Sequence, residues 1–107
     1  MSSRIRESAI IELMSVGLTR YEASLYVLML SSDLTNYDKL IEESDVPYGR
    51  FYVIADMLES KGLVEVLPGR PKMYRPLPSN EAITQYLNDA RDRVLRALDM
   101  EQMLSSL

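Results

Sequence analysis

The apolar residues keep a helical spacing as far as Gly62, turn to an alternating pattern over residues 63–75, and then resume the helical spacing to the end of the chain. One brief β segment enclosed by helices is the constraint that any fold must satisfy. Ile5, Ala9, Leu13 and Val16, widened by Ile10 and Met14, predict a first helix from about Ser3 to Ser15, closed by Gly17. Thr19-Arg20-Tyr21-Glu22 has the form of a capping box, in which the Thr19 hydroxyl accepts from a first-turn N–H and Glu22 reaches back. The helix it opens, over 20–31, carries Tyr21, Ala23, Leu25, Tyr26, Val27, Leu28, Met29 and Leu30. A helix apolar on nearly every side belongs at the centre of a domain.

A second capping signal, Thr35 with Asp38, predicts a short helix to about Glu43, with Tyr37, Leu40 and Ile41 turned inward. Pro47 suits the start of a further helix, over 48–61, that buries Phe51, Ile54, Ala55 and Leu58 and exposes Gly49, Val53, Asp56 and Ser60. Gly62 takes the C-terminal cap. Leu63-Val64-Glu65-Val66-Leu67 reads as a strand, Pro68-Gly69 as a type II turn, and Lys72-Met73-Tyr74-Arg75 as the return strand. Pro71 and Pro76 at the limits of that second strand predict an edge hairpin rather than a sheet interior. Pro78-Ser79-Asn80 opens a last helix that no residue interrupts.

A short helix, a tight break, a second helix and then a hairpin is the order of a winged helix-turn-helix. The first helix of the pair braces the second, the second fits a major groove, and the hairpin reaches the backbone or minor groove beside it. The expected fold is therefore mainly α with a small β-hairpin: a winged helix-turn-helix over 1–78 plus a long C-terminal helix over 79–107. At 107 residues the two parts form a single domain.

Composition narrows the function. Cysteine and histidine are both absent, which removes disulfides, the usual zinc sites, thiol nucleophiles and imidazole bases. Glu42 and Glu43 point to different sides of a helix and form no catalytic pair, and no Gly-rich phosphate loop is present. An enzyme, a metal and a cofactor are not expected. No apolar run approaches the ~18 residues of a membrane span. Arg4 and Arg6 have no apolar stretch behind them, so the expectation is a cytoplasmic protein without a secretory leader.

The net charge of −4 disfavours nucleic acid only until the charges are located. Residues 33–45 hold Asp33, Asp38, Glu42, Glu43 and Asp45 against Lys39. Residues 46–78 hold Arg50, Lys61, Arg70, Lys72 and Arg75 against Asp56, Glu59 and Glu65, the one net-basic segment of an acidic chain. That segment contains both the expected recognition helix, about 48–61, and the wing, about 64–76. The candidate DNA contacts are accordingly Tyr48, Gly49, Arg50 and Val53 on the helix, and Arg70, Lys72 and Arg75 on the wing. Of the wing residues, Arg70 and Lys72 are the better placed. Thr35 and Asn36, at a helix start, are candidates for a phosphate. Each has a plainer reading: Arg50 as a solvated side chain, Tyr48 as an apolar staple, the wing cations as protection of a sheet edge, Thr35 as a cap.

In the last helix Ile83, Leu87, Ala90, Val94, Ala97, Glu101 and Leu104 recur at alternating intervals of four and three, a coiled-coil seam with one charged interruption and Leu98 at its side. A helix of about 26 residues is ~39 Å long, more than a small body covers, so the seam predicts a homodimer.

Gly17-Leu18-Thr19-Arg20-Tyr21-Glu22-Ala23, with Tyr26 and Leu30 following, resembles the opening of TrmB-type transcriptional regulators, known chiefly from archaea. Val46-Pro47, Tyr52, Leu58, Lys61-Gly62-Leu63-Val64 and Gly69-Arg70-Pro71, then Tyr74 and Pro78, fall in the order of that family. The resemblance covers roughly Ala9 to Ala82 and implies a winged helix-turn-helix that binds promoter DNA. Longer members add a C-terminal sugar-binding domain; a chain reaching Leu107 is expected to lack it, so sugar sensing is not carried over. Relatives tend to have basic and small hydroxyl residues where this chain has Tyr48-Gly49-Arg50. The expected partners are double-stranded DNA and a second copy of the chain, with no membrane and no metal. The alternative, drawn from the pI of about 4.8, is a winged-helix protein–protein adaptor without specific DNA binding.

Overall fold

The helical and alternating stretches become five α-helices and three short strands among the residues that the computed structural model describes, 3–32 and 35–107. Helix α1 (Ser3–Ser15) packs along α2 (Arg20–Ser32), the buried centre, in which Ala23, Leu25, Tyr26, Val27 and Met29 are all but inaccessible. On α1 only Ile10 is fully buried; Ala9, Leu13 and Val16 pack against the core, while Ile5 and Met14, at the limits of the expected stripe, lie exposed.

The capping box forms as its spacing predicts. The Glu22 N–H donates to Thr19 Oγ1 (3.2 Å) and the Thr19 N–H donates to Glu22 Oε1 (2.8 Å). Glu22 does more than cap, for its side chain is fully buried and its Oε2 accepts from Lys61 Nζ at 2.5 Å. A charge inside an apolar helix persists only when its oxygens are occupied, and here both are.

Strand β1 (Thr35–Asn36) precedes α3 (Tyr37–Glu43), and a 3-10 turn (Tyr48–Arg50) leads into α4 (Phe51–Ser60). Strands β2 (Val64–Leu67) and β3 (Met73–Pro76) form the hairpin, with Val66 opposite Tyr74 and Glu65 opposite Arg75. The sheet order is β1-β3-β2, so the strand expected at an edge lies in the middle. Thr35 and Asn36 pair with Tyr74 and Met73, and the prolines flank that short central run rather than interrupting it. The hairpin turn is also longer than Pro68-Gly69 alone: residues 68–72 join the strands, with Gly69 at φ +148° and a cis peptide between Arg70 and Pro71.

Helix α5 (Ser79–Ser105) starts on the body and leaves it. Ala82 and Tyr86 are buried, and the Tyr86 hydroxyl donates to the Val16 carbonyl (2.7 Å) in the turn between α1 and α2. Beyond Leu87 its large apolar side chains are exposed. The radius of gyration is 15.9 Å, against about 13 Å for a compact chain of this length.

Two consequences are measurable. Burial pulls the Glu22 pKa up, but the hydrogen bonds from Lys61 and Thr19 outweigh it and hold the carboxyl below its ordinary value of 4.5. A depressed carboxyl stabilises the fold above that ordinary value and loses the contribution as pH falls through the lower, folded one. Chemical-denaturation stability is therefore expected to drop below about pH 4.5, with Glu22→Gln flattening that limb and costing about 2–4 kcal/mol at neutral pH. At Gly17, where φ is +109°, a Cβ would stand 2.9 Å from the Tyr86 hydroxyl. Gly17→Ala is expected to destabilise the fold by about 1–3 kcal/mol, read as a lower urea midpoint with an unchanged slope.

Candidate nucleic-acid interface

Helix α3 and helix α4 meet through a tight connection. Val46 is buried there, Pro47 is extended (φ −57°, ψ 140°), and the Arg50 N–H donates to the Pro47 carbonyl at 2.9 Å. The recognition helix thus begins as a 3-10 turn, and its α-helical part starts at Phe51 rather than at residue 48. Gly49 in the opening turn weakens regular helix just where the sequence pattern placed its start. From Phe51 onward the expected faces hold: Phe51, Ile54, Ala55 and Leu58 are buried, whereas Gly49, Val53, Asp56 and Ser60 are exposed.

Aromatic contacts fix this helix against both its neighbours. The Phe51 ring meets Tyr37 of α3 edge-on at 4.8 Å and Tyr74 of β3 edge-on at 5.3 Å, while Tyr52 stacks flat on Tyr37 at 5.2 Å. Such pairs add to their area burial and define orientation. Burial, then the neighbouring Tyr52 and Asp56, pushes the Tyr74 hydroxyl up to about 12, so it stays protonated at any physiological pH. Tyr48 meets Tyr37 at 6.2 Å but is 77% exposed, which leaves most of its ring facing solvent. The Arg50 guanidinium lies 6.0 Å from the centre of the Tyr21 ring, so α2 steadies its stem.

The five cations of the basic segment divide. Lys61 is taken by Glu22 and Arg75 by Glu65, its partner across the hairpin. Arg75, one of the expected contacts, is exposed but shares its charge with that carboxylate, so it is less available than the unpaired cations. Arg50, Arg70 and Lys72 are exposed and make no ion pair among the described residues.

The phosphate candidates fare differently from expectation. Asn36, not Thr35, caps α3: its Oδ1 accepts from the Lys39 N–H at 3.0 Å. Thr35 is held by strand pairing to Tyr74, and its side chain lies outside the described residues. The Asn36 cap takes up the Lys39 N–H that an anion would need, and Asp38 stands in the first turn, so this helix start is a weaker candidate for a phosphate.

On α5, Ile83 packs partly buried against the core and so leaves the expected seam, because the first two turns of this helix belong to the body. Leu87, Val94, Leu98 and Leu104 are exposed. The Glu22–Lys61 pair was not anticipated; the signal was available in a single acid within an otherwise apolar helix, and in a lysine directly before a capping glycine.

A braced helix with an open face, a neighbouring hairpin carrying free cations and a helical extension define a winged-helix module of the kind found in transcriptional regulators. The family model described as sugar-specific transcriptional regulator TrmB matches residues 13–80. The chain belongs to the TrmB family. It is 30% identical over 73 residues to the sugar-sensing transcriptional regulator TrmBL1 of Pyrococcus furiosus, covering 68% of this chain and 21% of that protein. To the putative transcriptional regulator TrmBL2 of the same organism it is 29% identical over 85 residues, covering 79% and 32%. It thus spans between a fifth and a third of the length of these relatives.

A solved structure of TrmBL2, described as an archaeal chromatin protein with a novel mode of DNA binding, superposes with a TM-score of 0.84 at 25% identity, over 94% of this chain and 40% of that one. A MarR-family regulator from Silicibacter pomeroyi shares the fold at a TM-score of 0.60 and 16% identity, over 97% and 82%. By their descriptions the TrmB-type relatives are transcriptional regulators or a chromatin protein. No helix among the described residues is long and apolar enough to cross a membrane.

Gly49 offers a direct probe of the interface. A Cβ there would meet nothing within 4 Å. Gly49→Ala is expected to leave thermal stability unchanged or raised by up to about 1 kcal/mol. A fall in duplex affinity in the same variant, read by fluorescence anisotropy, locates the DNA backbone against this turn.

Proposed function

We propose that this chain is a DNA-binding transcriptional regulator that acts as a homodimer in the cytoplasm. The α4 face enters the major groove through Tyr48, Gly49, Arg50 and Val53, and the wing sets Arg70 and Lys72 on the backbone or minor groove. The observation that carries this reading is the trio of unpaired cations, Arg50, Arg70 and Lys72, on the two elements that a winged helix presents to a duplex. The DNA binding stated for the TrmBL2 structure supports it.

Three cations per chain are few, and the acidic remainder opposes a polyanion. Two copies on one duplex double the contact, with half-sites about one helical turn or a multiple of it apart. The exposed α5 residues Leu87, Val94, Leu98 and Leu104, together with Ala90 and Ala97, are the proposed dimer surface.

A second reading rests on the exposed Tyr48, Tyr52, Val53 and Met57, apolar side chains of α4 and of the 3-10 turn before it that also suit a protein partner. Anisotropy titrations of genomic duplex fragments at several salt concentrations separate the two. The regulator predicts saturable, salt-sensitive binding; absence of binding at low salt favours the adaptor. Replacing Arg70 and Lys72 with alanine is expected to lower affinity roughly tenfold and to reduce the slope of log affinity against log salt by about two.

A further inference from the structure

With Ile83 taken by the core, the seam that α5 offers consists of Leu87, Ala90, Val94, Ala97, Glu101 and Leu104. Leu87, Val94 and Leu104 are 41%, 59% and 58% exposed. We propose that a second copy of the chain covers this seam with its α5 running antiparallel, in the register that sets Leu87 against Leu104, Ala90 against Glu101 and Val94 against Ala97. The inference rests on the homodimer reading above and adds to it a direction and a register.

The spacing assigns Leu87, Val94 and Glu101 to one core position of the heptad and Ala90, Ala97 and Leu104 to the other. In a parallel pair each residue faces its own copy. Glu101 then meets Glu101 inside a closing apolar seam, where like charges lose their water without gaining a partner. Ala90 and Ala97 also face themselves, and two alanine layers leave unfilled space.

An antiparallel pair removes both faults, because the two core positions then face each other. Each alanine meets a larger side chain, and leucines close the seam at both ends. Glu101 lies over the methyl group of Ala90, with Arg91 of the second copy one residue further along to neutralise it. Among described contacts the Arg91 side chain meets only its neighbour Asp92, at 3.3 Å and largely exposed, so it is available. The flanking residues agree: in this register Leu98 lies across from Arg91 and Met100 across from Arg93, so that the aliphatic stem of each arginine is placed to cover apolar surface, while the Arg93 guanidinium lies over the Tyr86 ring of its own chain at 5.9 Å.

The chain has no cysteine, so single-cysteine variants report distances directly. Leu87 and Leu104 are 17 residues apart, about 25 Å along the helix, and both are exposed, so cysteine at either leaves the core intact. Leu87→Cys and Leu104→Cys chains, mixed, equilibrated and oxidised, are expected to give mainly the 87–104 heterodisulfide, since a bridge needs Cβ atoms about 4 Å apart. Self-linked products from each variant alone, with light scattering still reporting a dimer, would overturn the antiparallel register and leave the dimer standing. A monomer at every concentration would remove the dimer as well. Glu101→Arg is expected to weaken self-association roughly tenfold, and the swap Arg91→Glu with Glu101→Arg to restore it. Failure of the swap to restore association counts against this pairing.

Discussion

The carboxylate of Glu22 joins parts of the chain that are 39 residues apart in sequence. One oxygen takes the Thr19 N–H at the start of the central helix, and the other takes Lys61 where α4 ends. Lys61 is followed at once by Gly62, with φ of +76°, and then by the wing. The exit of the recognition helix, and hence the departure of the hairpin, is therefore anchored to the most deeply buried element. The aromatic contacts of Phe51 do the same at the other end of α4, toward α3 and β3. Side chains proposed to face a groove are useful only if the elements carrying them keep their relative positions, and these two anchors hold α4 at both ends.

Much of this was legible in the order of residues. Reciprocal hydrogen bonds of Thr19 and Glu22 follow from their spacing, and the inward set on α4 follows from a period of 3.6. Other features depended on approaches between distant segments. Two residues, Thr35 and Asn36, are too few to show an alternating pattern, so nothing local announced a third strand, and its pairing moves β3 to the centre. The pairing of Arg75 with Glu65 depends on the hairpin register, which brings the two opposite each other. Ile83 fits the heptad spacing as well as Leu87 does; only the docking of Tyr86 on the α1–α2 turn shows how far the body extends along α5. Among the candidate contacts, then, composition identified the basic segment, whereas internal ion pairs decided which of its cations remained available.

Charge placement explains how an acidic chain can suit a polyanion. Pairing Lys61 and Arg75 internally leaves a small set of cations at the helix start and on the wing, while exposed acids such as Asp56 and Glu59 lie further along the same helix. Binding built this way depends on fit as well as attraction. The exposed Val53, beside the open turn at Gly49, suits close apposition to a groove more than long-range attraction.

Helix α5 is continuous from Ser79 to Ser105, with no proline or glycine inside it to bend it. A rod of this kind does not adapt its length to its target. In the proposed dimer it fixes the gap between the two reading heads in whole heptads, so that adding or deleting seven residues would change the spacing of the DNA sequences recognised while leaving each head intact. The chain carries its own yardstick, and the geometry of its binding site on the genome would be inherited from helix length rather than from any residue that touches a base.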